Sequence, residues 1–339
     1  MDDAAFCNMR IAVLLPCYNE AATIAAVVRG FRAALPQARI FVYDNNSTDG
    51  TALAAMLAGA EVRRERRQGK GHVVRRMFAD IDADLYIMAD GDGTYAPQDA
   101  EELVRTLLTE RVDMVVGTRR GVHANAGRQG HAFGNRLFNL LYRRLFGTGF
   151  TDIFSGYRIF TRRFVKSFPA ISAGFEIETE MSVHASRLNL PVAELELDYG
   201  RRPEGSVSKL STFRDGFRIL RMFAMLMKET RPFAFFGFVA LCLLAAGFSF
   251  SVPVLIEYVE TGLVPRMPTW MLSLMLVSLS SVSLTAGIIL DSVARGRNEL
   301  LRLNYLAQPD QLFSAQSVSP PSADHPVIVE RPRSGSAAA

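Results

Sequence analysis

The chain has 339 residues, of which 49% are hydrophobic, and carries a formal net charge of +4. Three cysteines, Cys7, Cys17 and Cys242, are too few and too scattered for a disulfide framework or a zinc site, so a reducing compartment is expected. The basic excess comes without an aromatic-studded basic stripe or a recognised nucleic-acid module, which excludes nucleic acid as the expected partner. The excess fits contacts to phosphates and to a membrane surface.

Two strand–helix units open the chain. A predicted strand over residues 10–15 ends at Pro16-Cys17-Tyr18-Asn19-Glu20, and a helical pattern of apolar residues follows over 24–31. A second strand, Ile40–Tyr43, ends at Asp44–Thr51, a run of turn and capping residues. This β-α-β-α pattern gathers polar residues at the carboxyl ends of strands, where open α/β sheets bind ligands.

Two carboxylates one residue apart, Asp90 and Asp92, follow the apolar run Leu85–Ala89, which is typical of a buried strand. Both are therefore expected at the carboxyl end of that strand. Paired hard oxygen ligands suit Mg²⁺ or Mn²⁺, and such ions commonly bridge a carboxylate to substrate phosphates. The pattern thus predicts a nucleotide diphosphate compound as substrate, with an ordinary Asp-Gly-Asp-Gly turn as the alternative interpretation.

The glycine-rich segment Gln68–His72 lacks the Gly-x-x-x-x-Gly-Lys-Ser/Thr pattern of a phosphate-binding loop. We interpret it as a turn that opens a helix, in which Lys70 remains a candidate for contact with the nucleotide substrate. The histidines show no metal-ligand spacing, so no zinc site is predicted.

Two apolar runs in the carboxyl-terminal third of the chain, residues 233–256 and 270–290, are each long enough to cross a bilayer core of roughly 30 Å. Buried core helices are the alternative interpretation, which the length and the lack of charges disfavour. Basic residues flank both runs on their outer sides, whereas the connecting loop holds only Arg266. The chain is therefore predicted to be an integral protein of the cytoplasmic membrane with both termini cytoplasmic.

Residues 212–228 place Arg214, Arg218, Arg221 and Lys228 on one helical stripe beside an apolar arc. This pattern indicates an interfacial helix, with a helix packed on its own domain as the alternative, and residues 134–146 are a second candidate. The predicted organisation is a cytoplasmic α/β domain over 1–211, a juxtamembrane helix over 212–231, two membrane helices within 232–292 and a largely disordered cytoplasmic tail over 293–339.

Six ordered motifs resemble those of the family-two glycosyltransferases of the GT-A fold. They are Pro16–Glu20, Asp44–Thr51, Asp90–Asp92, Met114–Arg119, Asp152–Arg158 and Arg202–Lys209. Over residues 9–231 the chain resembles the polyprenyl-phosphate (dolichol-phosphate mannosyltransferase-like) hexosyltransferases. The resemblance implies a mostly parallel, Rossmann-like sheet that binds a nucleotide-sugar. It also implies inverting transfer of one hexose from a UDP- or GDP-linked donor to a polyprenyl phosphate at the cytoplasmic membrane face.

The resemblance implies roles for individual residues as well. Asp90 and Asp92 would hold Mg²⁺ or Mn²⁺ on the donor diphosphate. The expected nucleotide-sugar-binding residues are Pro16, Tyr18, Asn19, Glu20, Asp44, Asn46, Asp49, Lys70, Asp90, Gly91 and Asp92. The expected acceptor-phosphate residues are Arg119, Arg136, Ser155, Arg158, Arg202, Ser208 and Lys209. The expected catalytic residues are Asp92, Asp152, Arg119 and Arg136, with Asp152 orienting the acceptor or the sugar.

Two positions depart from the family pattern. Asn45 stands where Asp is common, which leaves the base open, and Thr94 stands where Gln is common, which leaves a third protein ligand of the metal open. Two rival functions also stay open: a processive polysaccharide synthase, which the position of Trp270 in a membrane span disfavours, and a non-catalytic membrane scaffold. Small residues such as Gly237 and Gly247 keep a homo-oligomer open.

Overall fold

The computed structural model describes residues 9–120, 150–174, 176–200, 224–225, 227–310 and 312–313. The strands are β1 (Ile11–Cys17), β2 (Arg39–Asp44), β3 (Glu61–Arg64), β4 (Leu85–Met88), β5 (Met114–Arg120), β6 (Arg158–Thr161) and β7 (Val192–Asp198). The helices are α1 (Ile24–Ala34), α2 (Thr51–Leu57), α3 (Lys70–Asp80), α4 (Ala100–Glu110), α5 (Arg162–Ser167), α6 (Ile177–Leu188), α7 (Pro232–Thr261) and α8 (Met267–Ala307).

The strands form one sheet in the order β3-β2-β1-β4-β6-β5-β7. The pairs β1–β2, β2–β3, β1–β4 and β5–β7 are parallel, whereas β6 runs antiparallel to both β4 and β5. Strand β4 is buried along its whole length, as an apolar run covered on both faces should be. The predicted mostly parallel α/β sheet is confirmed.

The predicted first helix is also present, and its apolar stripe faces the sheet. Helix α1 buries Ile24, Val27, Val28 and Phe31, which recur at helical spacing. Strands β1 and β2 run one or two residues beyond the predicted ends. The reason is that the two strands stay in register up to the pair Cys17 and Asp44, so the start of each polar motif still belongs to the sheet.

Helices α7 and α8 are long and apolar enough to cross a membrane, with mean hydropathy of 2.3 and 1.9 over their most apolar windows. Only 22% and 17% of those windows is buried within the chain, which distinguishes them from the buried core helices of the alternative interpretation. Both helices are longer than the predicted runs. In particular, α8 continues to Ala307, well past the apolar stretch that ends near residue 290.

Small residues form the contact between α7 and α8. The residues buried there recur every seven positions, as Ala240, Gly247 and Val254 in α7 and as Ser273, Ser280, Gly287 and Ala294 in α8. Three serine hydroxyls of α8 donate across the contact to carbonyl oxygens of α7. Those pairs are Ser273 with Gly247 at 2.9 Å, Ser280 with Ala240 at 2.8 Å and Ser283 with Phe236 at 3.0 Å. Close packing of this kind is how apolar helices associate without a hydrophobic driving force.

Candidate active site

The polar motifs meet at the carboxyl edge of the sheet. Cys17 at the end of β1 lies opposite Asp44 at the end of β2. Strand β4 lies on the other side of β1, where its last residue, Met88, pairs with Leu14 of β1. The segments that follow these strands, 18–21, 45–51 and 89–95, therefore begin side by side. This is the position at which parallel α/β sheets bind their ligands.

Side chains join the first two of these segments. The Asn19 amide N–H donates to Ser47 Oγ at 2.9 Å, and the Asn19 side-chain oxygen accepts from the Thr48 N–H at 2.9 Å. Asn19 has a φ of 55°, a left-handed conformation that asparagine tolerates. Asp49 accepts from the Ala21 N–H at 3.0 Å. Asn19 and Asp49 therefore hold the shape of the loops.

Asp49 also caps the start of α2. Its Oδ1 accepts from the Thr51 N–H at 3.1 Å and from the Thr51 hydroxyl at 2.5 Å. Burial alone would raise the pKa of Asp49, but the bonds from Thr51 and Ala21 outweigh it and lower the pKa. Asp44 is buried and accepts from the Ser47 N–H at 3.2 Å. Both carboxylates thus organise the second motif.

Asn45 connects the second motif to the start of α3. Its side-chain N–H groups donate to the carbonyl oxygens of Glu65 at 3.0 Å and Arg67 at 2.7 Å, and its oxygen accepts from the Gly69 N–H at 2.7 Å. An aspartate here would face two carbonyl oxygens without a proton to donate. This explains the departure from the family pattern as a local structural requirement. Asn46 acts in the same way by donating to the Arg66 carbonyl at 2.9 Å.

A lysine lies between two carboxylates beside the Asp-Gly-Asp motif. Lys70 Nζ is 2.5 Å from Asp90 Oδ1 and 2.5 Å from Glu178 Oε1. Burial alone would lower the pKa of Lys70, but the two carboxylates raise it above its ordinary value. Burial raises the pKa of Glu178, although Lys70 opposes that shift. The ammonium group is therefore held charged beside the first aspartate of the motif.

Sequence reasoning missed Glu178. It follows the start of α6, and no motif spacing connects it to Lys70 or Asp90. The available signal was the acidic run Glu176-Ile177-Glu178-Thr179-Glu180, which the sequence alone does not place next to α3. Glu178 Oε2 is buried and has no hydrogen-bond partner among the residues that the structure describes.

Two glycines let the motif fit against its neighbours. A Cβ on Gly91 would lie 2.5 Å from Cys17 Sγ, and one on Gly156 would lie 2.6 Å from Asp90 Oδ2. Both distances are far below van der Waals contact. Gly91 therefore allows the turn to pack on the end of β1, and Gly156 leaves space for the Asp90 carboxylate.

Asp92 is the more enclosed of the two motif carboxylates, with 3% of its surface exposed. The Thr94 hydroxyl donates to Asp92 Oδ1 at 2.6 Å, and the Thr94 N–H donates to the same oxygen at 3.1 Å. Thr94 thus supports the carboxylate at the position where Gln is common in the resembling family. Its contact is with the aspartate itself.

The two carboxylates fit a divalent cation. Asp90 and Asp92 supply the oxygen ligands that Mg²⁺ and Mn²⁺ prefer, and the gap at Gly156 leaves room for Asp90. Within the part of the chain that the structure describes, no group of three or more His, Cys, Asp or Glu side chains forms a complete metal site. An ion held by these two residues would therefore take its other ligands from the substrate and water.

Arg119 and Asp152 form a two-point ion pair at the end of β5. Arg119 Nε lies 2.7 Å from Asp152 Oδ2, and Nη2 lies 2.8 Å from Oδ1. Burial alone would raise the pKa of Asp152, but the bonds and charge of Arg119 outweigh it and lower the pKa. The guanidinium also lies 5.5 Å from the centre of the Tyr199 ring. The pair fixes both side chains, and Asp152 is a poor general base.

Ser155 and Arg158 are fully buried. Arg158 donates to the carbonyl oxygens of Ser155 at 2.9 Å and Ile153 at 2.7 Å and to the Ser182 hydroxyl at 2.9 Å. Ser155 Oγ donates to the Gly117 carbonyl at 2.5 Å. These enclosed contacts support the loop that carries Asp152, and the predicted contact of Ser155 and Arg158 with an acceptor phosphate stays a prediction.

The remaining predicted site residues divide into two groups. Pro16 lies in β1 opposite Tyr43, Tyr18 is exposed, and the Glu20 N–H donates to Thr51 Oγ1 at 2.8 Å. The other group lies outside the described residues and consists of Arg136, Arg202, Ser208 and Lys209. The candidate interfacial helix over 134–146 and most of the one over 212–228 also lie outside them.

A mostly parallel sheet with an Asp-x-Asp pair at its carboxyl edge is the arrangement expected of a GT-A fold. Residues 12–168 match the family described as Glycosyl transferase family 2. The chain is 37% identical over 251 residues to glycosyltransferase AglJ of Haloferax volcanii, covering 74% of this chain and 82% of the relative. The chain belongs to glycosyl transferase family 2, and it is a transferase enzyme.

Two further similarities concern ligands. The chain is 27% identical over 220 residues to an undecaprenyl-phosphate mannosyltransferase of Micrococcus luteus, covering 60% of this chain and 88% of the relative. Its fold is similar to that of glucosyl-3-phosphoglycerate synthase from Mycobacterium tuberculosis, solved with Mn²⁺, UDP and glucosyl-3-phosphoglycerate. That match has a TM-score of 0.55 and 25% identity, and covers 67% of this chain and 81% of the other.

Proposed function

We propose that this enzyme transfers a single hexose from a UDP- or GDP-linked donor to a polyprenyl phosphate at the cytoplasmic face of a membrane, with inversion at the anomeric carbon. The observation that carries the proposal is the attachment of two long apolar helices, α7 and α8, to a sheet with an Asp-x-Asp pair at its carboxyl edge. An acceptor with a long hydrocarbon tail keeps its phosphate at the headgroup level, so its enzyme must work there.

The donor side rests on the carboxyl edge of the sheet. Asp90 and Asp92 would hold Mg²⁺ or Mn²⁺, which stabilises negative charge on the leaving nucleotide diphosphate. Lys70 is kept charged beside Asp90 and is placed to approach the same diphosphate. The complex of the structural neighbour with Mn²⁺ and UDP supports this assignment.

The proposal for the acceptor is based on Arg119 and on the ionised carboxylate of Asp152. A phosphate acceptor is largely ionised near neutral pH, so its attacking oxygen needs no general base. Asp152, whose pKa is lowered by Arg119, suits a mechanism of this kind because it stays ionised and orients its partner. Arg119 engages Asp152 through Nε and Nη2, so its Nη1 is the group that would meet an anionic acceptor. The relative named undecaprenyl-phosphate mannosyltransferase supports a lipid phosphate as acceptor.

The proposed orientation follows from charges near the two helices. Lys228 and Arg231 precede α7, and Arg295 and Arg297 lie in α8 beyond its apolar stretch. Arg266, in the short connection between the helices, is 3.2 Å from Glu257 near the end of α7. This asymmetry supports a cytoplasmic location for the sheet domain and for both termini.

The test uses the purified full-length chain in lipid vesicles with a panel of UDP- and GDP-sugars, polyprenyl phosphate and Mg²⁺ or Mn²⁺. The expected product is a lipid-linked monosaccharide with inverted anomeric configuration, formed only when divalent metal is present. A polymer would indicate a processive synthase instead. Binding of a nucleotide-sugar without any product would indicate a scaffold, and either result would contradict the proposal.

A further inference from the structure

The last turns of α8 leave the apolar stretch and pack onto the sheet domain. Residues 295–307 include five arginine or asparagine side chains, yet the helix continues unbroken to Ala307. Tyr305 is buried and belongs to the core cluster that also contains Phe164 and Leu190, and Leu301 packs against that cluster. The end of α8 is therefore part of the core of the sheet domain.

A buried hydrogen bond joins Tyr305 to the amino edge of the sheet. The Tyr305 hydroxyl donates to Asp113 Oδ2 at 2.7 Å, and the Thr161 hydroxyl donates to Asp113 Oδ1 at 2.7 Å. The Arg163 guanidinium lies 3.9 Å from the centre of the Tyr305 ring and donates to the Tyr305 carbonyl at 3.2 Å. These contacts hold the tyrosine at its ring, its hydroxyl and its backbone.

Further contacts hold the preceding turns of α8. Arg302 donates to the Leu188 carbonyl at 2.9 Å, at the end of α6. Arg187 of α6 donates through Nε to Asn298 Oδ1 at 2.8 Å. Arg297 donates at 2.9 Å to the carbonyl of Glu229, close to the start of α7. Successive helical turns are thus attached to the sheet domain on one side and to the segment before α7 on the other.

We propose that residues 297–307 of α8 are a positioning element for the lipid acceptor, with Tyr305 as the main anchor. They fix the height and orientation of the sheet relative to the two apolar helices, so that the pocket meets a phosphate confined to the headgroup layer. The inference rests on the proposed function. Because Tyr305 and Asp113 lie at the amino edge, the positioning acts without contact with the donor site at the carboxyl edge.

The test compares two acceptors that differ only in their need for the membrane. One is a long-chain polyprenyl phosphate in phospholipid vesicles, and the other is a short, water-soluble prenyl phosphate in detergent. For Tyr305→Ala we expect kcat/KM with the vesicle acceptor to fall about tenfold or more, while kcat/KM with the soluble acceptor stays within about twofold of wild type. Tyr305→Phe, which keeps the ring, should show a smaller fall on the vesicle acceptor alone.

The matched control is Tyr258→Phe, which removes the hydroxyl of an exposed tyrosine of α7 and should change neither value. Equal losses on both acceptors would show that Tyr305 only supports folding, and no loss on either would show that the contact does not position the pocket. Either result overturns the inference while leaving the proposed function intact. A wild-type enzyme that glycosylates neither acceptor overturns the proposed function, and the inference falls with it.

Discussion

The two edges of the central sheet each contain a buried aspartate with a threonine partner, but their surroundings differ. At the carboxyl edge, Asp92 accepts from the Thr94 hydroxyl at 2.6 Å and has a second carboxylate two residues away. At the amino edge, Asp113 accepts one hydroxyl on each oxygen, from Thr161 and Tyr305. The amino edge satisfies its aspartate with neutral donors from the chain.

Under the proposed function, the difference is between a structural carboxylate at the amino edge and a ligand-binding one at the carboxyl edge. Carboxylates that share a site repel each other, and a cation relieves the repulsion. At the carboxyl edge Lys70 supplies part of that positive charge, and a divalent ion would supply more. Asp113 accepts hydrogen bonds from two hydroxyl groups, one of which belongs to Tyr305 of α8, so it needs no ion. Variants at the two edges should therefore change different properties.

The largest expected effect is on turnover at the carboxyl edge. Asp92→Asn keeps the shape but removes charge from the metal site, so we expect turnover to fall about 10²–10³-fold with little change in stability. The measurement is product formation at saturating Mn²⁺ and donor. Asp82→Asn is the matched control, since Asp82 is exposed and pairs with Arg10 and Arg162. Near-wild-type turnover of Asp92→Asn would refute the metal assignment.

The next effect is on stability at the same edge. Lys70→Met leaves Asp90 and the buried Glu178 facing each other without a cation, so we expect the free energy of unfolding to fall by about 3–5 kcal/mol. Adding Glu178→Gln should restore part of the loss because one of the two charges is removed. Chemical unfolding in detergent measures both variants. A double variant less stable than Lys70→Met would contradict the described pairing.

A pH effect is expected near the amino edge. Burial and the charge of Arg187 lower the pKa of His184 to about 4, whereas the unfolded chain has a histidine pKa near 6.5. Between these values the unfolded state binds the proton more readily, so stability is lost as pH falls from about 6.5 to about 4, by about 3 kcal/mol. His184→Leu should flatten that region of the curve. An unchanged pH dependence in the variant would assign the loss to other groups.

The smallest effects come from the two threonines, which allow a direct comparison of the edges. Thr94→Val should lower apparent Mn²⁺ affinity about tenfold, because it removes a support of Asp92, while stability changes little. Thr161→Val should cost about 1–3 kcal/mol of stability, because Asp113 loses a donor and α5 loses its cap. Its turnover per folded molecule should match wild type. Metal titration and unfolding curves that show the reverse would refute the division of roles.

Local patterns predicted the sheet and the place of the carboxylates well. The buried run before Asp90 and the polar runs after β1 and β2 identified the ends of parallel strands, because burial and turn chemistry are local properties. Contacts distant in sequence were not predictable in this way. Asp113 and Tyr305 are 192 residues apart, and nothing in either segment indicates the other.

Two other differences between the sequence prediction and the structure also arise from contacts between distant segments of the chain. Apolar composition ends near residue 290, yet α8 continues because its polar turns pack on the sheet domain. The sequence relates Asn45 to the identity of the nucleotide base, whereas in the structure its side-chain amide forms hydrogen bonds with the backbone of Glu65, Arg67 and Gly69. In each case the residues that determine the local structure belong to another segment of the chain, and the pattern within one segment does not specify them.

Because α8 is one unbroken helix, a change in the tilt of its apolar part displaces its carboxyl end. Tyr305 lies fifteen residues beyond residue 290, so its distance from the end of the apolar stretch is about 22 Å at 1.5 Å per residue. A change in helix tilt of about 20° would swing that end by roughly 8 Å, and bilayer thickness is one of the factors to which tilt responds. The sheet would follow, so under the proposed function the rate of the reaction would depend on the thickness of the surrounding membrane.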